Sequence, residues 1–226
     1  FPVSCSKTRE LIDKGEIGGW EDIRIPFLIP LRKRGYDPRA LFDFAKEVGV
    51  TQTDKSVSID EYFKTLNSLN RAYLDEKVFR YFFIGDPVEI KVDFSKDIEL
   101  NLHPDKKNGG RKFKVDGNFF ISRDDLERID DGELFRLMDC CNVVRKGQDF
   151  IFDSEDVSVF REKGKKIIHW LPVNDCDKCS VRMPDNSVVE GFCEKAASSV
   201  SEGDVVQFER FGFCRLNGDE FWYGHK

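Results

Sequence analysis

Val88-Glu89-Ile90-Lys91-Val92-Asp93-Phe94 alternates apolar and charged side chains without a break, and that period of two decides the fold class. A strand turns successive side chains to opposite faces, so such a run buries one face and wets the other. The pattern returns at Ile98, Leu100 and Leu102. Short apolar runs follow at 118–121, 142–145, 149–152, 166–171, 187–193, 204–211 and 220–223. Asn108-Gly109-Gly110, Asp116-Gly117-Asn118 and Asn217-Gly218-Asp219 supply the residues that tight turns between strands need. About ten short strands at this spacing predict one or two antiparallel barrels or sandwiches, not a parallel α/β sheet.

Upstream of Phe79 the period is helical. Asp37-Pro38 reads as an N-cap with proline at the first helical position, and Leu41, Phe44, Ala45 and Val48 recur at helical spacing before Gly49. Ser58 and Glu61 form a capping box ahead of Tyr62, Phe63, Leu66, Leu69 and Tyr73, which predicts a helix ending near Asp75. Pro26 and Pro30 interrupt the signal, leaving at best a short helix over 28–34. The class expected is therefore α+β, mainly β. The acidic stretch 124–133 is most simply a solvated surface.

Composition narrows the function. At about 150 residues per domain, 226 residues make one large domain or two small ones. Hydrophobic residues at 40% and charged residues at 35% describe a globular chain with material for a core. No apolar run approaches the ~18 residues of a membrane span, and the opening does not read as a secretory leader. Seven scattered Cys fit a reducing compartment better than a disulfide scaffold. Thirty-six basic against 42 acidic residues leave a net charge of −6, which disfavours non-specific coating of nucleic acid but leaves room for a local basic groove.

Catalytic constellations are hard to assemble. His103, His169 and His225 have no nucleophile or ligand spacing around them and read as structural. Cys176 and Cys179 form a lone CxxC, two ligands short of a zinc site, and Cys140-Cys141 cannot be paired with it from sequence. No metal ligand set is expected, and no phosphate-binding glycine loop is present. Basic residues do cluster. Lys106, Lys107, Arg111, Lys112 and Lys114 surround Gly109-Gly110, while Arg161, Lys163, Lys165 and Lys166 flank Gly164. Arg80, Arg136, Arg145, Arg210 and Arg215 sit in or beside aromatic strands. Such strands suit single-stranded loop RNA, whose splayed bases offer edges and faces. Equally, these arginines could cap carbonyls and solvate strand edges, and composition alone slightly favours that reading.

Ordered motifs add a resemblance. Val3-Ser4-Cys5-Ser6-Lys7-Thr8-Arg9 is similar to the KMSKS loop of class I aminoacyl-tRNA synthetases, with Ser6-Lys7 keeping its central pair. Gly19-Trp20-Glu21-Asp22 with Ile25-Pro26, and Leu31-Arg32-Lys33-Arg34-Gly35-Tyr36, fit the segments that follow it. Arg80-Tyr81-Phe82-Phe83-Ile84-Gly85-Asp86-Pro87-Val88 matches the archaeal glutamyl pattern more than the glutaminyl one. His103-Pro104 with Gly109-Gly110-Arg111, Ile168-His169-Trp170, and Val206-Gln207-Phe208-Glu209-Arg210-Phe211-Gly212 resemble signatures shared by both branches. Nearly the whole chain thus resembles the C-terminal part of an archaeal-type glutamyl-tRNA synthetase.

The resemblance implies an organisation. Residues 1–15 would end the catalytic domain, 16–78 form a helical connector, 79–130 with 188–226 a proximal barrel, and 131–187 a distal barrel, both similar to ribosomal 5S RNA-binding protein barrels. The HIGH motif would lie ahead of Phe1, so the chain reads as a fragment that is inactive alone. In the intact enzyme, which uses ATP and Mg2+, Ser6 and Lys7 would serve the ATP phosphates; no cofactor is expected on the fragment. The partner implied is tRNA, for glutamate and also for glutamine, in the cytoplasm, with no membrane and no DNA. Arg80, Gln207 and Arg210 align with readers of the middle anticodon base, Arg136 with the reader of the third, and Arg145 or Lys146 with that of the first. Glu209 could accept a ribose 2′-hydroxyl or pair with an arginine. Lys106, Lys107, Arg111 and Lys112 would hold phosphates. The alternatives are a glutaminyl-tRNA synthetase C-terminal region, a stand-alone RNA-binding barrel, and a zinc-stapled structural protein.

Overall fold

A computed structural model describes residues 4–49 and 57–226. Four helices come first: α1 (Cys5–Asp13), α2 (Leu28–Lys33), α3 (Pro38–Val48) and α4 (Ile59–Leu74). Then come β1 (Arg80–Tyr81), β2 (Phe83–Gly85), β3 (Pro87–Lys91), β4 (Lys96–His103), β5 (Lys106–Val115) and β6 (Asn118–Ser122). After α5 (Arg123–Glu127) come β7 (Leu134–Leu137), β8 (Asn142–Lys146), β9 (Asp149–Ser154), α6 (Val157–Lys163), β10 (Lys166–Ile168) and β11 (Leu171–Pro172). The chain closes with β12 (Cys176–Arg182), β13 (Val188–Glu194), β14 (Val205–Phe208), β15 (Gly212–Asn217) and β16 (Glu220–His225). The protein is mainly β, in several antiparallel sheets with a few helices.

Two compact units divide these elements: 1–79 with 181–188 and 201–226, and 80–180 with 189–200. In the first, the helices start where local chemistry says they should. Asp37 accepts the Arg39 N–H at 2.9 Å and Ser58 accepts the Glu61 N–H at 3.1 Å, each side chain satisfying one orphan amide of a first turn. The two helices bury Leu31, Tyr36, Ala40 and Leu66. β14, β15 and β16 form an antiparallel meander, and the end of β12 runs parallel to β16, Arg182 opposite Trp222.

The second unit is built on Trp170. Its ring packs against Phe113 at 5.2 Å and edge-on against Phe119 at 5.4 Å, and its Nε1 donates to the Met138 carbonyl at 2.8 Å. Ile90, Val92, Phe82, Leu137 and Val143 fill the same core. The long β4–β5 hairpin alternates: Arg111, Phe113 and Val115 face inward, while Lys112 and Lys114 face outward opposite Glu99 and Asp97.

The structure differs from the sequence expectations in places. Sixteen described strands replace about ten, because turns split the apolar runs. Thus 166–171 divides into β10 and β11, and β3 ends at Lys91 where Val92 N–H turns to the Gly117 carbonyl at 2.8 Å. β10 pairs with β7 in parallel. The acidic stretch 124–133 is not all solvated. Ser122 caps α5 through the Asp125 N–H, and Glu133, 5% exposed, takes Lys166 Nζ at 3.0 Å.

Candidate nucleic-acid interface

In the first unit β14 carries Gln207, and the β14–β15 turn carries Glu209 and Arg210. β14 pairs Gln207 with Phe213 and Phe208 with Gly212, and Phe211 N–H closes the turn on the Phe208 carbonyl at 3.0 Å. A turn this tight puts Arg210 in the left-handed region at φ 60°, uncommon for a residue with a Cβ. Gly212 follows at φ 151°, where a Cβ would stand 2.6 Å from the His225 carbonyl. The turn therefore presents the Arg210 side chain to solvent. Gln207 is fixed by its backbone, whose N–H donates to the Phe79 carbonyl at 2.9 Å. Its side-chain oxygen is buried and takes no hydrogen bond from the described residues. An unmatched buried acceptor costs ~1–3 kcal/mol, which a donor brought by a ligand would recover.

The second unit treats its arginines in three ways. Arg80 is half-buried in β1. Arg136, 7% exposed on β7, donates through Nη1 to Asn142 Oδ1 at 2.7 Å and the Glu155 carbonyl at 3.2 Å. Asn142 is oriented in turn, its amide donating to Ser154 Oγ and the Asp156 carbonyl. No described residue meets Arg136 Nε or Nη2. Arg145 clamps carbonyls, from Nη1 to Leu126 and Ile129 and from Nε to Gly147. That is the carbonyl-capping alternative read from composition. Lys146 is exposed at the end of β8.

Arg111 stands apart from the lysines it was grouped with. It is 3% exposed and pairs with buried Glu194 at 3.0 Å, 83 residues away, its guanidinium 4.4 Å over the Phe82 ring. Glu194 also accepts the Phe82 N–H at 2.6 Å. Both charges are committed inside the unit, so Arg111 holds β5 rather than a phosphate. No local signal in the sequence announces Glu194 as its partner. Lys106, Lys107 and Lys112 do lie exposed on β5, where phosphates could reach them.

Ser6 and Lys7 are exposed on the first turn of α1, with Ser4 Oγ 3.1 Å from Ser6 Oγ; Val3 lies outside the described residues. Hydroxyls, an ammonium and first-turn amides suit the oxygens of a phosphate. Residues 4–9 contain no carboxylate to ligate a divalent cation. All three histidines are buried. Among the described residues no group of three or more His, Cys, Asp or Glu is placed to hold a metal, and no helix is long and apolar enough to cross a membrane.

Comparison with known proteins gives this geometry its setting. Residues 78–161 and 167–217 match two family models, both described as "tRNA synthetases class I (E and Q), anti-codon binding domain". The chain is 35% identical over 222 residues to the glutamate–tRNA ligase of Methanocaldococcus jannaschii, covering 95% of this chain and 39% of that protein. It is 38% identical to that of Methanothermobacter thermautotrophicus over 99% of this chain and 40% of that protein. The ligase of Methanopyrus kandleri is 34% identical, over 95% of this chain and 39% of its own length. The chain thus spans about two fifths of the curated relatives it matches. With two family models in order and relatives similar across nearly its whole length, the chain belongs to the class I glutamyl- and glutaminyl-tRNA synthetase family and carries that family's anticodon-binding region.

Proposed function

We propose that this chain is the tRNA-reading part of a glutamate–tRNA ligase, and that it binds the anticodon loop of glutamate tRNA and also of glutamine tRNA in the cytoplasm. The proposed partition is the helical connector at 16–78, a proximal barrel at 79–130 with 188–226, and a distal barrel at 131–187. The observation that carries the reading is the buried, unmatched oxygen of Gln207 on β14, the strand that leads into the turn bearing exposed Arg210. Uracil, the middle base of both anticodons, offers a donor at N3 between acceptors at O2 and O4. The Gln207 amide can accept from N3–H while the Arg210 guanidinium addresses an oxygen; by resemblance alone, Arg80 is proposed as a further reader of this base. Glu209 would accept a ribose 2′-hydroxyl, which selects RNA over DNA. Arg136 would read the third base and Lys146 stand near the first, with Arg145 shaping the loop beneath it. Lys106, Lys107 and Lys112 would hold phosphates.

In the intact ligase ATP, with Mg2+, supplies the adenylyl group that activates glutamate. Lys7 Nζ and Ser6 would donate to its phosphate oxygens, neutralising charge as it shifts toward the leaving pyrophosphate. By themselves these 226 residues are expected to support no ATP–pyrophosphate exchange.

The test is tRNA affinity. Arg80→Ala and Arg210→Ala should each weaken binding by ~1–3 kcal/mol and blur discrimination at the middle base, whereas Lys107→Ala should weaken all RNAs alike and lower the salt slope by about one. Equal losses for cognate and middle-base-mutated tRNA would reduce both arginines to phosphate contacts.

A further inference from the structure

Within the first unit a cavity of about 490 Å³ opens beside the end of β16, and a buried cation lines it. Arg34, at the end of α2, is only 6% exposed. Its Nε donates to the Tyr223 carbonyl at 3.0 Å and its Nη2 to the Gly224 carbonyl at 2.7 Å. The guanidinium lies 5.1 Å from the Phe63 ring and 5.4 Å from the Tyr36 ring. No carboxylate of the described residues pairs with it, and Nη1 has no partner among them. Burial lowers its pKa, and the groups that offset this are tyrosines, not acids. A buried charge held only by dipoles is incompletely compensated.

The neighbouring groups are donors as well. Asn67 Oδ1 accepts the Tyr36 hydroxyl at 2.5 Å, which leaves the two Nδ2 hydrogens without a partner among the described residues. Arg24 lines the cavity with Nε and Nη2 spent on Asp22. Exposed Lys226 adds an ammonium. His225 is neutral and contributes no charge: Asn70 Nδ2 donates to Nε2 at 2.9 Å, because Asn70 Oδ1 already accepts the Asp37 N–H, so the ring proton sits on Nδ1 facing the Lys226 carbonyl. No Asp or Glu lines the cavity. In a chain of net charge −6, this site offers cationic and amide donors and no acidic side chain.

We infer that the Arg34 cavity is a phosphoryl-oxyanion site, with Arg34 Nη1 and Asn67 Nδ2 as inner donors and Lys226 at the mouth. Phosphate oxygens are acceptors only at neutral pH, apart from one residual hydroxyl, and the unspent side-chain donors of Arg34 and Asn67 match them. The phosphoryl group could belong to an RNA backbone or to a free phosphate. The inference does not rest on anticodon reading: phosphate binding can hold while base discrimination fails, and the reverse.

Asn67→Asp is the decisive variant. A carboxylate there still accepts from Tyr36 but gives Arg34 the counter-ion it lacks. It should leave the fold intact, raise or preserve the melting temperature, and weaken phosphate binding by about tenfold or more. Lys226→Glu, on an exposed side chain, should weaken it by a few-fold without touching the fold. Calorimetric titration of the chain at fixed ionic strength would use inorganic phosphate in one arm and a short single-stranded oligoribonucleotide in the other. Loss in the phosphate arm alone identifies a free phosphoryl ligand; loss in the RNA arm identifies the backbone. Unchanged affinity in both arms for both variants overturns the site.

Discussion

Arg111 and Arg34 are both buried, and each is seated on aromatic rings, but the two regions solve the charge differently. In the second unit Arg111 meets Glu194, and the pair also satisfies the Phe82 amide. In the first unit Arg34 meets two carbonyl oxygens and no acid. A guanidinium opposite a carboxylate is closed to ligands, because any anion must displace a better-placed one. A guanidinium on carbonyls keeps its net charge and an unspent edge. Burial alone therefore does not separate structural arginines from binding ones; the identity of the acceptor does.

The largest effects should come from breaking that difference. Glu194→Ala strands the Arg111 charge and the Phe82 amide together, so the loss expected is ~3–5 kcal/mol. Arg34→Met strands no charge and leaves only carbonyls short of a donor, for ~1–3 kcal/mol. Urea unfolding of both variants measures the gap. If Arg34→Met cost as much as Glu194→Ala, the acceptor would not matter and the comparison would fail.

His225 gives the comparison a pH axis, because it adjoins Arg34. Burial pushes its pKa down to about 4 from 6.5, with Arg34 and Arg71 pushing the same way. A lowered basic group binds its proton first in the unfolded chain. The stability from keeping His225 neutral is whole above about 6.5, drains as the pH falls, and is spent near 4, for ~3 kcal/mol in total. His225→Gln should show a flatter profile over that window than the parent chain. Parallel profiles would mean that the ring is already charged in the fold.

How far the sequence foretold this depends on whether the signal is local. Asp37 and Ser58 announce α3 and α4 because a cap and its amide lie two or three residues apart. Alternation at 88–94 announces strands, since a pleat needs only its own residues. Ser122 capped α5 by the same local rule, yet the carboxylates around it read as plain surface. What the sequence hides is pairing at a distance. Glu194 reaches Arg111 across 83 positions, and β10 joins β7 in parallel where antiparallel hairpins were the expectation. Arg111 looked like its lysine neighbours for that reason. Gln207 and Arg210 stood out through resemblance; Arg34 lay inside the quoted 31–36 motif, but nothing in that motif marks a cavity or points to Asn67.

Arg136 falls between the two extremes and carries the smallest effect. Its Nη1 is anchored on Asn142 and the Glu155 carbonyl, neutral acceptors both. The Nε–Nη2 edge remains, a fork of parallel donors with no acceptor of its own. In the proposed function Arg136 faces the third anticodon base, which is C in glutamate tRNA and G in glutamine tRNA. Cytosine presents O2 and N3 side by side, and guanine presents O6 and N7; a donor fork can address either pair with little rearrangement. Adenine and uracil lack a matching pair of neighbouring acceptors. One tRNA body carrying C, G, A or U at this position should therefore bind with C and G within about threefold, or roughly 0.6–0.7 kcal/mol. A or U should cost ~1 kcal/mol or more. Asn142→Ala should loosen the fork and shrink that penalty, since the anchor rather than the charge sets its direction. A tenfold preference between C and G would make Arg136 a discriminating reader and remove it from the middle of the comparison.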